Sequence, residues 1–321
     1  MKLITHFRLL TSRPLLLTII GLPSLFTHVN SVRSQGQLAP TAPPGPTMKT
    51  LAQIEPRTPI SSVSFTITNS GSYYLTTNLN VLTGNAITIA TNGVTLDLNG
   101  FTISSTAASA NGTGILINSS LRNLTIQNGF IQGGVTNNGT NVYSGGGFQY
   151  GIHQQGSSPV NVVVSRVSVA GLLGNGINLG TGNSTVVESC TAHTVGGNGI
   201  IASTIQNCAA VDCGATAIFG DVVSNSHGES TGLGYGLTAS FNANNCYGSS
   251  SGTGLFAANT ANNCSGYCSG NNTGLSCTHI AIGCYGFSSS GIGLSAYIAN
   301  SCRGQSTFGI AQSINFKYSM P

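Results

Sequence analysis

Apolar and small residues recur in the C-terminal half of the chain at intervals of 18 or 20 positions, with polar residues between them. One column holds six cysteines and one serine, and its steps are 18, 18, 20, 18, 20 and 18 residues. A period of this length is typical of solenoid proteins, in which each repeat is one small structural unit. The members of this column are Cys190, Cys208, Ser226, Cys246, Cys264, Cys284 and Cys302.

Further columns keep the same spacing around the cysteines. An alanine or glycine stands two positions after each member, and a small apolar residue stands three positions before it. A third apolar column, which starts at Ile200 and ends at Ile310, follows a glycine or an alanine in every repeat. This pattern predicts two or three short strands per repeat, with alternate side chains pointing inward. Repeats of this size bury their apolar side only by stacking at ~4.8 Å, so the sequence predicts an all-β parallel β-solenoid.

The turns between these strands also repeat. Asparagine precedes the cysteine strand at Asn207, Asn225, Asn245 and Asn263, and asparagine tolerates the left-handed backbone conformation and hydrogen-bonds well in turns. Residues 86–192 contain the same unit with larger apolar side chains. A polar insert at Thr136–Tyr150, which includes Gly145–Gly147, predicts one extended loop.

The N-terminal segments differ in character from this body. Residues 1–34 combine early basic residues with the short apolar run Leu15–Phe26 and predict a signal peptide. The run is about 12 residues, short of the ~20 that span a bilayer, so a permanent membrane span is the weaker alternative. Residues 35–47 predict a stiff proline-rich linker, residues 48–62 an N-terminal cap, and residues 63–321 the β-solenoid.

The cap prediction rests on a short amphipathic segment. Within Met48–Glu55, Leu51 and Ile54 share one helical face, and Pro56 ends the helix. We expect this helix to cover the open edge of the first turn. At the other end, Lys317 discourages edge-to-edge association, and a monomer is expected.

Composition limits the possible partners. The chain of 321 residues has 44 glycines and only 5% charged residues. Its formal net charge of +4 comes entirely from four basic residues before Gln35, because the six later basic residues balance six acids. A neutral body with isolated cations does not neutralise a run of phosphates, so nucleic acid is not expected as a partner.

The segments SGSYYLTTNL and GVTLDLNGFTI, together with the unit G-[IL]-x-A…[AIV]-x-N-C-x-[GA], resemble the bacterial right-handed parallel β-helix repeat proteins of the pectin-lyase-like superfamily. The resemblance covers roughly residues 63–321 and implies a right-handed parallel β-helix. Repeats of unequal length are also unlike the strict six-residue period of left-handed solenoids. The superfamily includes lyases, hydrolases, adhesins and proteins without known activity, so the fold alone does not imply a function.

The catalytic motifs implied by this resemblance are missing. The galacturonan hydrolases of the superfamily use short aspartate-bearing motifs, a Gly-His-Gly and an Arg-Ile-Lys, and none of them occurs here. Its lyases need acidic calcium ligands beside an arginine or lysine, and Arg122, Arg166 and Arg303 have no two carboxylates near them in the repeat alignment. Asp97 and Glu188 lie about three turns apart, roughly 14 Å, which exceeds the ~5–9.5 Å of paired glycosidase carboxylates.

One cluster remains as a catalytic candidate. The repeat alignment places Asp212 and Glu229 on adjacent turns, with His193 one turn below Asp212. Two close carboxylates and an imidazole suit acid–base chemistry or a divalent metal. The alternative, which the sequence favours, is that these are solvated turn residues. No metal site and no cofactor is therefore predicted.

Aromatic residues point to binding instead. Tyr247 and Tyr285 follow the cysteine column by one position, and Tyr267 follows it by three. Planar rings along a flat solenoid face stack on sugars or on another protein surface. The alternative is that exposed tyrosines simply suit β-strands.

In an exported protein, the nine cysteines are either paired in disulfides or present as free thiols. Ladder neighbours at ~4.8 Å lie within the Cα separation that a disulfide allows, but the ladder also demands small buried residues, and buried free thiols are favoured. The sequence therefore predicts an exported, non-catalytic β-helix protein of the cell surface or extracellular space that contacts polysaccharide or cell-surface components. A polysaccharide lyase or glycoside hydrolase is the alternative.

Overall fold

The computed structural model describes residues 55–182 and 184–318. The predicted signal peptide, the proline-rich linker and residues 48–54 of the predicted cap lie outside the described residues. The first strand of the stack, Thr58–Ile60, lies within the segment 48–62 that the sequence assigns to the cap.

The described residues form strands and turns, with no helix and hence no helix able to span a bilayer. The strands, in chain order, are β1 Thr58–Ile60, β2 Phe65–Ile67, β3 Gly71–Leu75, β4 Leu79–Val81, β5 Ile87–Ile89, β6 Val94–Asp97, β7 Thr102–Ser105, β8 Thr113–Ile117, β9 Arg122–Gln132, β10 Gly134–Asn137, β11 Tyr143–Gly146, β12 Tyr150–Gln154, β13 Val160–Leu172, β14 Ile177–Asn178, β15 Thr185–Glu188, β16 Thr191–Val195, β17 Ile200–Gln206, β18 Ala209–Cys213, β19 Ile218–Ser224, β20 His227–Ser230, β21 Leu237–Asn244, β22 Tyr247–Ser250, β23 Leu255–Ala257, β24 Thr260–Asn262, β25 Ser265–Cys268, β26 Leu275–Ile282, β27 Tyr285–Ser288, β28 Ile292–Asn300, β29 Arg303–Ser306 and β30 Ile310–Tyr318.

These strands stack in parallel into three sheets that surround one narrow core. Sheet 1 contains β1, β3, β6, β9, β13, β15, β17, β19, β21, β24, β26, β28 and β30. Sheet 2 contains β4, β7, β9, β13, β16, β18, β20, β22, β25, β27 and β29. Sheet 3 contains β2, β5, β8, β12, β14, β17, β19, β21, β23, β26, β28 and β30. The longer strands bend at a corner and belong to two sheets.

The chain therefore forms a parallel β-solenoid of about 13 turns, and the prediction of an all-β parallel β-helix is confirmed. The predicted 18- to 20-residue period holds from Val187 onward. Earlier turns differ in length: the register partners Ile60 and Leu75 are 15 residues apart, Leu96 and Ile126 are 30 apart, and Ile126 and Val164 are 38 apart. The longest of these turns contains the insert.

The predicted inward columns form the core. In sheet 1, the column from Val187 to Ala299 is fully buried. The N-terminal turns fill the core with isoleucine, leucine, valine and the buried Phe148, whereas the last turns use alanine, cysteine and leucine. The core therefore becomes thinner toward the C terminus.

Glycine residues of sheet 2 make the core thinner, because they let this sheet pack closely on sheet 3. A Cβ atom added at Gly266 would lie 2.1 Å from the carbonyl oxygen of Gly274, which directly precedes the sheet-3 strand β26, and one at Gly248 would lie 2.3 Å from that of Gly254, which directly precedes β23. The same column holds Ala192 and Ala210 in earlier turns. Where alanine gives way to glycine, the backbones of sheets 2 and 3 come into direct contact.

The asparagine turns have the predicted conformation. Asn207, Asn225, Asn245 and Asn263 have φ angles of 54°, 48°, 51° and 51°. The amide of Asn245 donates to Oδ1 of Asn225 at 3.2 Å, so successive turns are joined by their side chains. One left-handed residue at the corner between sheets 1 and 2 thus lets the chain turn sharply in each repeat.

All nine cysteines are buried free thiols. The ladder thiols donate to the carbonyl oxygen two residues earlier, as Cys208 does to Gln206 at 3.1 Å, and Ser226 makes the equivalent bond at 2.7 Å. The hydrogen bond with Cys246, together with burial, raises the pKa of Cys264 to about 12. These thiols therefore satisfy corner carbonyl groups inside the core.

The insert predicted as an extended loop contains a hairpin. Strands β10 and β11 pair antiparallel, with Gly134 opposite Gly146 and Asn137 opposite Tyr143. Oδ1 of Asn138 accepts hydrogen bonds from the backbone amides of Thr140 and Val142, at 2.8 and 3.2 Å, and closes the turn. The polar composition of the insert hid this hairpin because the turn is built by side-chain bonds.

Candidate functional site

The outer surface of sheet 2 carries the predicted aromatic residues. Two columns of side chains point outward along it, and we call them together the sheet-2 face. The first column is Thr102, Phe130, Ser168, Thr191, Ala209, His227, Tyr247, Ser265, Tyr285 and Arg303. The second column is Ser104, Gln132, Ala170, His193, Val211, Glu229, Ser249, Tyr267, Phe287 and Gln305.

The rings of this face pair with one another along the helix axis. Tyr267 and Phe287 are stacked, with centroids 5.0 Å apart and an interplanar angle of 8°. His227 and Tyr247 are 4.7 Å apart and tilted by 39°. Tyr285 is 36% exposed, and its hydroxyl donates to Oε1 of Gln305 at 3.3 Å. The three predicted tyrosines thus share one surface, and parallel register places each beside another planar or polar group.

Phe130 extends this surface toward the N terminus. It is 51% exposed and is the register partner of Ser168. Its place on this face could not be predicted from the sequence, because β9 has no cysteine at the ladder position and its turn does not align with the later repeats. The two outward columns of β9 are visible only once its register with β13 is known.

Asp212 lies beside this face in a hydrogen-bonded cluster with the hairpin. Its Oδ1 accepts bonds from Asn137 Nδ2 at 2.6 Å and from the hydroxyl of Tyr143 at 2.9 Å. Its Oδ2 accepts a bond from Thr194 Oγ1 at 2.8 Å, and that hydroxyl also lies 2.8 Å from Nδ1 of His193. The hairpin therefore supplies two of the three side chains that hold this carboxylate.

A local bulge positions Asp212. The register between β18 and β20 shifts between Ala210 and Cys213, and Asp212 itself has a φ of 56°. Thr194, in the preceding turn, has a φ of 52°. The two left-handed residues bring the Thr194 hydroxyl and the Asp212 carboxylate into contact at the edge of sheet 2.

The cluster changes the acidity of its members. Burial opposes ionisation of Asp212, but the bonds from Asn137, Thr194 and Tyr143 outweigh it and hold its pKa below the ordinary value. Burial raises the pKa of Tyr143, and the neighbouring carboxylate raises it further. Asp212 is thus ionised and Tyr143 is a neutral donor at neutral pH.

Glu229 has a different partner. Its Oε1 lies 2.7 Å from Nε2 of His227 on the same strand, and both side chains are more than 40% exposed. Asp212 and Glu229, which the alignment placed together, thus have separate hydrogen-bond partners. Within residues 55–182 and 184–318, no group of three or more His, Cys, Asp or Glu side chains is arranged to hold a metal ion.

The remaining charged candidates also lie apart. Asp97 and Glu188 are separated by three register steps in sheet 1, as expected. Arg166 donates to Oδ1 of Asn128 at 2.6 Å, and Asn128 in turn donates to Asp97. Arg303 lies exposed on β29 at the far end of the sheet-2 face. No arginine of the described part shares an ion pair with two carboxylates.

A cleft lies where the hairpin leaves the solenoid. Its volume is about 360 Å³, at the lower end of the range for ligand pockets. Its walls are uncharged, and Thr194 connects it to the Asp212 cluster. The lining residues are Gln132, Gly133, Gly134, Val135, Thr136, Ala170, Gly171 and Thr194.

The proteins similar to this chain are solved structures of low sequence identity. No protein-family model and no curated protein sequence matches the chain. Among solved structures, the A-module of a mannuronan C-5 epimerase from Azotobacter vinelandii is similar at 11% identity and a TM-score of 0.44, over 78% of this chain and 88% of that one. The enzymatically active domain of tailspike protein 2 from bacteriophage CBA120 is similar at 13% identity and a TM-score of 0.38, over 84% and 43%.

The ORF18 protein of Geobacillus virus E2 is similar at 12% identity and a TM-score of 0.31, over 81% of this chain and 54% of that one. The chain thus spans about half the length of the two phage proteins.

Proposed function

We propose that the chain is an exported, non-catalytic β-helix protein that binds polysaccharide through the sheet-2 face. The observation that carries the proposal is the alignment of ring pairs along this face, with Tyr267 stacked on Phe287 and His227 beside Tyr247. A sugar ring presents an apolar C–H side to an aromatic ring, and its hydroxyl groups bond to polar neighbours.

The shape of the solenoid supports this kind of ligand. Equivalent outward positions repeat at ~4.8 Å along the axis, so the rings and the serine, threonine and glutamine side chains between them form a long, flat surface. An extended polymer with repeated sugar units matches such a surface better than a compact ligand does. The proposal also places the protein outside the cell or on its surface, because residues 1–34 predict export.

The test removes the three rings named by the sequence. The triple variant Tyr247→Ala, Tyr267→Ala, Tyr285→Ala is expected to lose at least about tenfold in affinity for a polysaccharide that the wild type retains, since exposed aromatic contacts contribute about 0.5–1.5 kcal/mol each. Affinity electrophoresis against a panel of polysaccharides measures the retention.

The matched control is the triple variant Tyr235→Ala, Tyr297→Ala, Tyr318→Ala. These tyrosines are 40%, 48% and 57% exposed and lie outside the sheet-2 face. We expect its retention to equal that of the wild type. Equal losses in both triple variants, or no loss in the first, would exclude the sheet-2 face as the binding surface.

A second function, cleavage of the bound polysaccharide by a lyase or hydrolase mechanism, is favoured by one observation. Thr194 links His193 to the ionised Asp212 beside the same face. An ionised carboxylate and an imidazole are groups that general acid–base catalysis uses. Release of reducing ends or unsaturated products by the wild type, lost in Asp212→Asn and retained in Glu229→Gln, would establish this function over the non-catalytic one.

A further inference from the structure

The charge distribution of the sheet-2 face bears on which polysaccharide it binds. Resting on the binding function proposed above, we propose that the ligand is a neutral polysaccharide and not a polyuronate or another polyanion. The inference depends on which side chains a bound polymer would meet along the solenoid.

Almost no charge lies on this face. Of the twenty outward positions between β7 and β29, only Glu229 and Arg303 are formally charged. They are four register steps apart, roughly 19 Å by strand spacing, which exceeds the screening length of about 8 Å at physiological salt. Each therefore acts as an isolated group toward a ligand.

The sign of the nearby charge also opposes an anion. Glu229 lies on the face, and the ionised Asp212 lies beside it, one turn away. A polyanion that covered the ring pairs and continued toward the hairpin would bring its own charges close to these two carboxylates. Like charges brought together in a desolvated contact weaken binding, and Arg303 at the other end is a single cation.

The neutral groups of the face suit sugar hydroxyl groups. The hydroxyls of Thr191, Ser249 and Ser265 lie between rings along the columns, and the amides of Gln132 and Gln305 lie near their two ends. Such groups both donate and accept hydrogen bonds, as sugar hydroxyls do. The cleft at the hairpin end continues this character, because its walls have no charged residue.

The experiment measures binding of the wild type to neutral polysaccharides, such as glucans and mannans, and to polyuronates, at salt concentrations from about 0.05 to about 0.5 M. We expect retention by at least one neutral polysaccharide, with a change below about twofold across this range, because little charge is desolvated. Arg122→Gln, at an exposed position outside the sheet-2 face, is the matched control and is expected to bind this polysaccharide as the wild type does.

Binding of a charged polysaccharide would contradict the inference. Binding of a polyuronate that falls about tenfold or more with added salt, and that is lost in Arg303→Gln, would overturn the neutral-ligand inference and leave the sheet-2 face as the binding surface. Failure of the tyrosine triple variant to lower binding of any polysaccharide would instead overturn the proposed function. The variant Glu188→Gln completes the set, since it removes a carboxylate from sheet 1, outside the sheet-2 face, and we expect it to leave binding of the neutral polysaccharide intact.

Discussion

In this solenoid, one residue position per turn determines how closely two sheets pack. A change of a single side chain at such a position therefore alters the distance between the sheets. The glycine column of sheet 2 is the clearest case, because its members have no space for a methyl group. In earlier turns the same column accepts Ala192 and Ala210. The residue type at this column therefore sets the local separation between sheets 2 and 3.

We predict that Gly266→Ala destabilises the protein by about 1–3 kcal/mol. The added Cβ would lie 2.1 Å from the carbonyl oxygen of Gly274, and this atom belongs to the backbone and has little freedom to move. The free energy of unfolding from denaturant titration measures the effect. Gly134→Ala is the control, because the nearest atom to its new Cβ lies at 3.5 Å and no comparable loss is expected.

A second residue links stability to pH. His153 is stacked on Tyr150 at 4.3 Å, and its Nδ1 is buried without a hydrogen-bond partner among the described residues. Burial lowers the pKa of His153 below its ordinary value of 6.5. The unfolded chain then binds a proton more readily than the folded one, so stability decreases as the pH falls through about 6.5.

We expect His153→Gln to reduce this pH dependence. The slope of the melting temperature between about pH 7.5 and about pH 5 is predicted to be shallower than in the wild type, because the neutral amide does not titrate. His279→Gln, at an exposed position, is the matched control and is expected to retain the wild-type slope. An unchanged slope in His153→Gln would show that other groups determine the acid response.

At the scale of elements, the hairpin of β10 and β11 is held by contacts far away in the sequence. The ring of Tyr143 lies over glycines of two turns, because a Cβ at Gly214 would come within 2.9 Å of its Cε2. Its hydroxyl contacts Asp212 and lies 2.8 Å from Thr231 Oγ1. The hairpin thus leaves the turn of β9 and reaches the residue that follows β20.

We predict that Tyr143→Phe loosens the hairpin and leaves the solenoid folded. The hydrogen bonds of the hydroxyl with Asn137, Asp212 and Thr231 are lost, each worth about 0.5–1.5 kcal/mol, while the ring still packs on the glycines. Limited proteolysis and hydrogen exchange of residues 137–143 are expected to become faster. Tyr297→Phe, which is 48% exposed and outside the hairpin contacts, is expected to change neither, and the same result for Tyr143→Phe would contradict the role given to its hydroxyl.

An element could be predicted from the sequence where the residues that determine it recur in every turn, and could not where they are far apart in the sequence. The inward columns and the left-handed Asn207 could be predicted because every turn repeats the same requirement. The aromatic face was predicted for Tyr247, Tyr267 and Tyr285 for the same reason. The bond between Tyr143 and Asp212 could not be predicted, because it joins residues 69 positions apart through an insert that has no repeat.

The bulge at Asp212 explains why Asp212 and Glu229 do not form the predicted cluster. The alignment assumed that β18 and β20 keep a constant register, which would set Val211 opposite Glu229 and leave Asp212 one position further along, as a neighbour of Glu229 on the adjacent turn. The shift between Ala210 and Cys213 and the left-handed φ of Asp212 turn this carboxylate toward Thr194 and the hairpin. Glu229 instead finds His227 two residues away on its own strand.

For the whole molecule, these features separate stability from binding. The inward columns of all three sheets form the core, and the outward surface of sheet 2 is free to carry rings and neutral polar groups without affecting packing. The scarcity of charge fits this division, because a stacked ladder would set like charges at ~4.8 Å from one another wherever a charged column formed. A face of neutral side chains avoids that repulsion over many turns.

The hairpin has a mechanical consequence. In a solenoid each turn contacts only its neighbours, so a force applied at the C terminus unwinds the chain one turn at a time from β30 inward. When unwinding reaches the turn of Thr231, that step must also break the hydrogen bonds of Thr231 with Tyr143 and Asn141, and the following turn must break the bond of Asn137 to Asp212. A higher force is therefore needed to continue unwinding at this point. The turns on the N-terminal side of the hairpin contacts stay folded at forces that unwind the C-terminal turns.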